Sequence, residues 1–356
     1  MKPFEKKFTN LNSFIELGRE PDFNNLLCVL KKQRPARPTL FEFFLNNDLN
    51  KQLTQHITYC DNDTYAEMKR AIDAFRIASY DYATLPGSDF RFMTDRHKAE
   101  GTASISLNEG AVIRDRESFE NYEWPDPDQF DYSRLKDLAD YLPAGMKLII
   151  QGPDGVLETV VNLVGYENLC YMTVDEPDLT QAVFDAVGSR FVRYYEICSS
   201  YDTVGALISN DDWGFNTQTF LPVGDMRKYV VPWHKKIADT IHAAGKPAIL
   251  HSCGMTDLMA DDIVNYIGYD AKHSYEDKIR PVEQAYGLYR GKIAVLGGID
   301  VDFICRSSPE EVYARAASML ERTSAAGGYA LGSGNSIPDY VPVENYLAMT
   351  AAAVFS

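Results

Sequence analysis

The chain of 356 residues is long enough to bury a large core, and it suits either one α/β barrel with an extension or two smaller domains. Its formal net charge of −16 at pH 7 disfavours a nucleic-acid backbone or an anionic membrane surface as partner, which leaves a small-molecule substrate or a protein. The six cysteines lack the spacing of a disulfide framework, the N-terminus lacks a signal-peptide core, and no apolar stretch approaches the roughly 18 residues of a membrane-spanning helix, so we expect a cytoplasmic protein.

In chain order, residues 1–75 predict a polar, helical N-terminal extension that precedes a single catalytic domain over 76–356. In that domain short apolar runs alternate with segments of helical period, which is typical of βα units around a parallel sheet. The predicted strands are 82–85, 147–151, 206–209, 248–251, 269–273, 293–297 and 329–332, and a hairpin is predicted over 103–107 and 111–114. The predicted helices are 62–78, 225–243, 256–266, 281–289, 309–325 and 342–353.

One further short strand, over 40–43 or 104–107, brings the count to eight, and eight strands close a (β/α)8 TIM barrel. An open doubly wound sheet is the alternative, and periodicity alone does not separate the two. Because no G-x-G-x-x-G run follows an early strand, the dinucleotide-binding version of that sheet loses its main support.

The most informative motif places His251 and Cys253 two positions apart, where an apolar run stops. In a strand this spacing directs both side chains the same way, and an imidazole with a thiolate can hold a zinc ion. The alternative is that both residues are packed, hydrogen-bonded core groups. Cys253 is the cysteine that we place at a strand end beside a histidine, and the histidines at 56, 97, 234 and 242 are expected to be solvated or helix-face residues.

Other polar residues end the neighbouring predicted strands. In a barrel, catalytic groups sit at the carboxyl ends of the strands, so these residues are expected at one rim. We expect catalytic roles for Asp211, Asp212, His273 and Asp300, and substrate contacts for Trp213, Tyr275, Ser333 and Asn335. Each has a structural alternative, because Asp in turns often caps helices or accepts backbone N–H bonds, and a strand histidine can be neutral and buried.

With these residues in view, the chain resembles the uroporphyrinogen decarboxylase superfamily, which includes cobalamin-dependent methyltransferases. The segments that carry the resemblance span roughly residues 200 to 356, and they are 211–214, 247–254, 296–300, 331–335 and 338–345. The resemblance implies a (β/α)8 barrel with its cleft at the carboxyl ends of the strands. Barrels of this superfamily often pair, so a homodimer is consistent with it.

Departures from the family pattern favour the methyltransferase branch. True uroporphyrinogen decarboxylases carry an R-Q-A-G-R type segment near the N-terminus, and the nearest segment here, 34–37, is not that motif. The methyltransferase branch uses H-x-C and a later cysteine to hold zinc, and His251 and Cys253 match the first two ligands. Ser333 lies where the later cysteine is expected, so the third ligand would be Asp211, Asp212 or His273, or the metal is lost.

Three functions are consistent with these residues and with the resemblance. The first is transfer of a methyl group between a small methylated compound or thiol and a corrinoid (cobalamin) protein, with zinc as an aid. The second is metal-free decarboxylation of a small or cyclic carboxylic acid, and the third is binding without catalysis. The surplus of ionisable groups at the predicted rim favours an enzyme over a binding protein.

Overall fold

A computed structural model describes residues 3–60, 62–95 and 107–355. Its centre is a parallel sheet whose seven strands follow one another in chain order, each paired with the next. The strands are β1 Tyr82–Pro86, β2 Lys147–Gln151, β3 Val204–Asn210, β4 Ala248–His251, β5 Ala271–His273, β6 Ala294–Leu296 and β7 Tyr329–Ala330. A doubly wound sheet reverses its strand order, so this sequential order confirms the TIM-barrel-like alternative.

Each strand corresponds to an apolar run in the sequence because it is buried on both faces of the sheet. Ile149 in β2, Ile208 in β3, Ile249 in β4 and Val295 in β6 are all fully buried. Parallel strands covered by helices lose the hydrophobic alternation of a half-exposed sheet, which explains why short continuous runs located them in the sequence.

Residues 39–45 occupy the eighth position of the barrel. Leu40 bridges Leu331 and Leu45 bridges Ile337, both in parallel, next to β7. On the β1 side the Tyr82 hydroxyl donates to the main-chain oxygen of Glu42 at 2.8 Å. The predicted strand over 40–43 is therefore present as two bridges instead of a continuous ladder. In the other candidate, 104–107, only residue 107 belongs to the described part of the chain.

Helices surround the sheet, and several begin at side-chain caps, among them α13 Val301–Arg306 and α14 Pro309–Thr323. α14 starts with a capping box between Ser308 and Glu311, with proline in its first turn, and the Asp300 side chain caps α13 by accepting from the Phe303 N–H. The helices are α1 Leu11–Leu17, α2 Phe23–Leu30, α3 Asn47–Leu53, α4 Ala66–Ile77, α5 Arg116–Asn121, α6 Arg134–Asp137, α7 Val156–Val164, α8 Tyr166–Asp175, α9 Pro177–Ser199, α10 Val223–Asp225, α11 Val231–Ala243, α12 Val282–Tyr289, α13 Val301–Arg306, α14 Pro309–Thr323 and α15 Val343–Val354.

Two predicted helices differ in kind from the expectation. A π-helical stretch, Met226–Val230, separates α10 from α11, and the segment predicted over 256–266 is a short 3₁₀ turn, Asp257–Met259, followed by a π-helix, Asp262–Ile267. An apolar spacing of three to four residues does not distinguish these forms from an α-helix. Residues 103–106 of the predicted hairpin lie outside the described residues, and 111–114 form no strand. None of the helices described combines the length and apolar character needed to cross a bilayer.

Candidate active site

The carboxyl ends of β3, β4 and β5 bring three candidate metal ligands together. Strand register aligns Asn210 with His251 and His251 with His273. Asp212, His251 and Cys253 each offer one ligand atom, and these atoms lie within 4.8 Å of one another. Of the three candidates for a third ligand, the fold thus brings Asp212 to the predicted His251 and Cys253 pair.

His251 is held in a buried, largely apolar position. Its ring stacks on Phe43 at a centroid distance of 4.3 Å, and its Nδ1 lies 2.8 Å from Nδ1 of His273. Burial lowers the pKa of His251 to about 4, although the charge of Asp212 acts in the opposite direction. The imidazole is therefore neutral near pH 7, which is the form that ligates metals.

Cys253 accepts hydrogen bonds at its sulfur and donates one from its main-chain N–H. Ser274 Oγ donates to Sγ at 3.3 Å, Asn335 Nδ2 donates at 3.2 Å, and the backbone N–H of Cys253 donates to Asp212 Oδ1 at 2.8 Å. Burial raises the pKa of the thiol well above its ordinary value, and the charge of Asp212 raises it further. The site therefore favours a thiol in the absence of a cation and supplies two donors to a thiolate in its presence.

A tight contact between two loops fixes the position of Cys253. Gly254 has φ +81°, and a Cβ built on it would lie 2.0 Å from the carbonyl oxygen of Gly214. Only glycine combines that backbone conformation with so close an approach. The loop after β4 is thereby pressed against the loop after β3, which carries Asp212.

Asp211 is a fully buried anchor for the elements around the site. Its carboxylate accepts hydrogen bonds from the backbone N–H groups of Leu157 at 3.0 Å and Glu158 at 2.9 Å, at the start of α7. It also accepts from Trp213 Nε1 at 3.2 Å, and His234 Nε2 lies 2.7 Å from the same carboxylate. The geometry places Asp211 among structural donors, and its side chain does not line the cavity described next.

A cavity of about 460 Å³ opens at the mouth of the barrel beside Cys253. Its lining is rich in carboxylates, and Lys278 is the one lining residue with a cationic side chain among those that the structure describes. The acidic lining residues are Asp212, Glu276, Asp300 and Asp302. This environment favours neutral or cationic ligands over anionic ones.

The remaining predicted site residues divide between the cavity and the protein interior. Tyr275, Asn335 and Asp300 line the cavity, although Asp300 also accepts the backbone N–H of Asp277 at 2.8 Å. Three others are fully buried and do not line it, namely Trp213, His273 and Ser333. Ser333 donates from Oγ to Glu42 Oε2 at 2.7 Å, so it faces the eighth position of the barrel instead of the mouth.

Sequence reasoning did not identify three ionisable groups near the site. Buried Lys272 donates to the carbonyl oxygens of Ser274 at 2.7 Å and Ser252 at 3.3 Å, tying the loops after β4 and β5 together, and burial lowers its pKa to about 8. Glu158 and Glu42 have raised pKa values, mainly through burial. A lysine in a strand predicted to lie inside a parallel sheet, as Lys272 is in 269–273, was a signal that could have been used.

The donor set fits a zinc ion. Zinc bonds of about 2.3 Å to sulfur and about 2.0 Å to nitrogen, at a tetrahedral angle, place the two ligand atoms about 3.5 Å apart. The distance between Cys253 Sγ and His251 Nε2 is 3.8 Å. Three protein donors leave one position of a tetrahedron open, which is the arrangement of catalytic zinc sites.

Comparisons with solved structures support the fold. A methyltransferase from Methanosarcina mazei matches over 92% of this chain and 97% of its own, with TM-score 0.66 and 15% identity. A GH27 β-L-arabinopyranosidase from Geobacillus stearothermophilus matches over 90% of this chain and 78% of its own, with 9% identity and a TM-score of only 0.42. A GH10 endo-β-1,4-xylanase from Gloeophyllum trabeum matches over 65% of this chain and 82% of its own, with 10% identity and a TM-score of only 0.40. At 15% identity the likeness to the methyltransferase concerns the fold alone.

Comparison at the level of sequence assigns the family. No curated protein matches the sequence significantly. The family model described as uroporphyrinogen decarboxylase (URO-D) matches residues 111–354 and covers the candidate ligands Asp212, His251 and Cys253. Because this match spans more than half of the chain, the protein belongs to the uroporphyrinogen decarboxylase (URO-D) family.

Proposed function

We propose that the protein is a methyltransferase that moves a methyl group between a small methylated compound or thiol and a corrinoid protein, with a zinc ion held by Asp212, His251 and Cys253. The observation that carries the proposal is the convergence of these three donors within 4.8 Å at the edge of a cavity in the barrel mouth. The name of the similar Methanosarcina mazei protein, a methyltransferase, is consistent with it.

A bound zinc ion would act as a Lewis acid toward a thiol or ether oxygen in the cavity. The chain's own residues prepare the site for that role. His251 presents a neutral ring, Ser274 and Asn335 donate to the sulfur of Cys253, and Asp212 adds a negative charge. An open coordination position next to a cavity of about 460 Å³ leaves room for a small substrate.

Glu158 is our candidate for handling the proton of the substrate heteroatom. It is partly exposed at the start of α7, and burial together with the charge of Asp212 raises the pKa of its carboxyl well above the ordinary value. The Glu158 carboxyl therefore keeps its proton to a higher pH than an ordinary glutamic acid, and it lies beside Asp212. Neither Glu158 nor His273 lines the cavity, but Glu158 is partly exposed, whereas His273, for which we expected a catalytic role, is fully buried and is the weaker candidate.

Exposed aromatic residues near the mouth support docking of a partner there. Tyr340 lines the cavity and is 73% exposed, and Phe44 is 43% exposed beside Phe43, the residue that stacks on His251. Apolar groups of this kind around a polar opening suit contact with another protein. We propose that a corrinoid protein presents its cofactor at this opening.

Metal-free decarboxylation is less favoured by the charges around the cavity. A carboxylic acid substrate would meet the carboxylates of Asp212, Glu276 and Asp302, with Lys278 as the cation that lines the same described cavity. Like charges at such separations disfavour binding of an anion. The alternative predicts turnover of a carboxylic acid by protein that contains no zinc.

Metal analysis of protein purified without chelator tests the proposal. We expect about one zinc ion per chain, lost in Cys253→Ser and retained in the control Cys305→Ser, since Cys305 lies in α13 away from the three donors. Cob(I)alamin should then be methylated by a methoxylated, methylamine-type or methylthiol donor, and His251→Ala should abolish the reaction. Zinc-free wild-type protein that decarboxylates an acid would refute methyl transfer.

A further inference from the structure

A buried series of hydrogen-bonded groups lies behind the candidate metal ligands. Glu42 accepts from the N–H of Ser333 at 2.6 Å, and the carbonyl oxygen of Ser333 lies 3.4 Å from Nε2 of His273. Nδ1 of His273 lies 2.8 Å from Nδ1 of His251, and Nε2 of His251 lies 3.8 Å from Sγ of Cys253. This series of contacts thus runs from the eighth position of the barrel to the candidate metal site.

The carbonyl oxygen of Ser333 decides the direction of the hydrogen bonds. A carbonyl accepts and cannot donate, so His273 must carry its proton on Nε2 to bond Ser333. A neutral His273 then has a lone pair on Nδ1, and the bond to His251 requires that Nδ1 of His251 be the donor. With its proton on Nδ1, His251 turns a lone pair on Nε2 toward Cys253 Sγ.

The opposite assignment fails at two positions. If His273 donated from Nδ1, its Nε2 lone pair would face the lone pairs of the Ser333 carbonyl oxygen. His251 would then carry its proton on Nε2, the nitrogen nearest Cys253, and that nitrogen could not bind a metal. The observed contacts therefore agree with one tautomer of each ring.

His273 has no access to the cavity. It is 0% exposed, and Phe41 packs edge-on against its ring with 4.9 Å between centroids. A Cβ added to Gly297 would lie 2.9 Å from His273 Nε2, so the backbone just after β6 packs against another side of the ring. A residue enclosed in this way acts on the site only through His251.

We propose that His273 is a positioning residue that fixes His251 as the Nδ1–H tautomer and so presents Nε2 as a preformed metal ligand. In many metal sites a carboxylate or backbone carbonyl accepts the second N–H of the ligand histidine. Here a second imidazole takes that role, and the Ser333 carbonyl oxygen in turn fixes the tautomer of that imidazole. The metal-binding part of this inference rests on the proposed function, whereas the tautomer does not.

Long-range ¹H–¹⁵N correlation NMR of the metal-free wild-type protein tests the tautomer directly. The His251 resonances are assigned by their loss in His251→Gln, and we expect the pattern of a neutral ring with its proton on Nδ1. A ring protonated on Nε2 would overturn the inference, whatever the protein's metal content. This measurement needs neither activity nor a folded His273 variant.

Zn²⁺ affinity of three variants, measured by chelator competition, tests the consequence. His273→Phe removes the acceptor and should weaken binding by roughly 10- to 100-fold, the usual effect of losing a partner behind a metal ligand. His273→Asn keeps an acceptor oxygen near the Nδ1 position and should stay closer to wild type, and the exposed control His56→Phe should leave the affinity unchanged.

The outcomes separate the two proposals. Equal affinity of wild-type protein and folded His273→Phe would overturn the positioning role while the metal site stands. Absence of Zn²⁺ binding in wild-type protein would instead remove the proposed metal function, and the NMR measurement would still decide the tautomer.

Discussion

Replacing Asp211 with asparagine should strongly destabilise the protein. The carboxylate is 0% exposed and is the shared acceptor for the start of α7, for Trp213 and for His234 of α11. His234 is also bound through Nδ1 to the Tyr269 hydroxyl at 2.7 Å, so the carboxylate links β3 to three other parts of the fold.

The expected loss in the free energy of unfolding follows from the number of oxygen acceptors at this position. An asparagine offers one oxygen, so at least one of the four donors would face an amide NH₂ group, and a buried unsatisfied donor costs about 1–3 kcal/mol. The remaining bonds would lose their charge assistance, at roughly 1 kcal/mol each, because bonds to charged groups are worth about 1.5–3 kcal/mol and neutral ones about 0.5–1.5 kcal/mol. We therefore expect a loss of about 4–6 kcal/mol, a large fraction of the roughly 5–15 kcal/mol typical of a folded domain.

Urea unfolding monitored by tryptophan fluorescence measures this loss. Asp302→Asn is the matched control, because its carboxylate is 55% exposed in a surface pair with Arg306 and should contribute about 0.5 kcal/mol or less. A change below about 1 kcal/mol in Asp211→Asn, together with lost turnover, would refute the anchoring role and favour a catalytic one.

Three further predictions concern pH, backbone geometry and metal uptake. Burial raises the pKa of Glu42 from 4.5 to about 8, so its contribution to stability is fully present below pH 4.5 and is lost as pH rises through 8. Urea midpoints at several pH values should show this loss, at up to about 1.4 kcal/mol per pH unit, and a flatter profile in Glu42→Gln. Gly254→Ala should cost at least about 2 kcal/mol in thermal or urea unfolding, because φ is +81° and Gly214 blocks a Cβ, whereas Gly224→Ala, with open space around it, should be nearly neutral. Zn²⁺ binding at pH 7 should release about one proton, because burial raises the pKa of the Cys253 thiol and lowers that of His251 to about 4. The affinity for Zn²⁺ should then rise about tenfold per pH unit. Calorimetry in buffers of different ionisation enthalpy measures the protons released, and detection of none would contradict this expectation.

Most of the fold was predictable because burial on both faces makes each strand an apolar run. β2 and β4 have the predicted bounds, and β3, β5, β6 and β7 lie within about two residues of the predictions. The eighth position was harder to define. Leu40 and Leu45 pair with residues about 290 positions away, at two bridges instead of a ladder, and no local pattern encodes that pairing.

The candidate site was predictable where strand alternation still applied. His251 and Cys253 are two positions apart at the end of β4, and the structure brings them together. The choice between Asp211 and Asp212 was not predictable, because both follow the last residue of β3, where alternation ends. The expectation of a solvated or helix-face His234 missed its bond to Asp211, since α11 is long enough to bury one face and the sequence does not show which residue of β3 that face meets.

The contact of residues 39–45 with residues 331–337 has a consequence for biosynthesis. On a ribosome residues 39–45 emerge about 290 residues before their partners Leu331 and Ile337, which lie just beyond β7. Until then the barrel stays open between residues 39–45 and the last strand made, and open sheet edges are prone to wrong pairing. Phe43 stacks on His251 and Glu42 binds Ser333, so the candidate pocket can be completed only after residue 333 has been made. Nascent chains that stall before residue 331 should therefore lack a finished pocket.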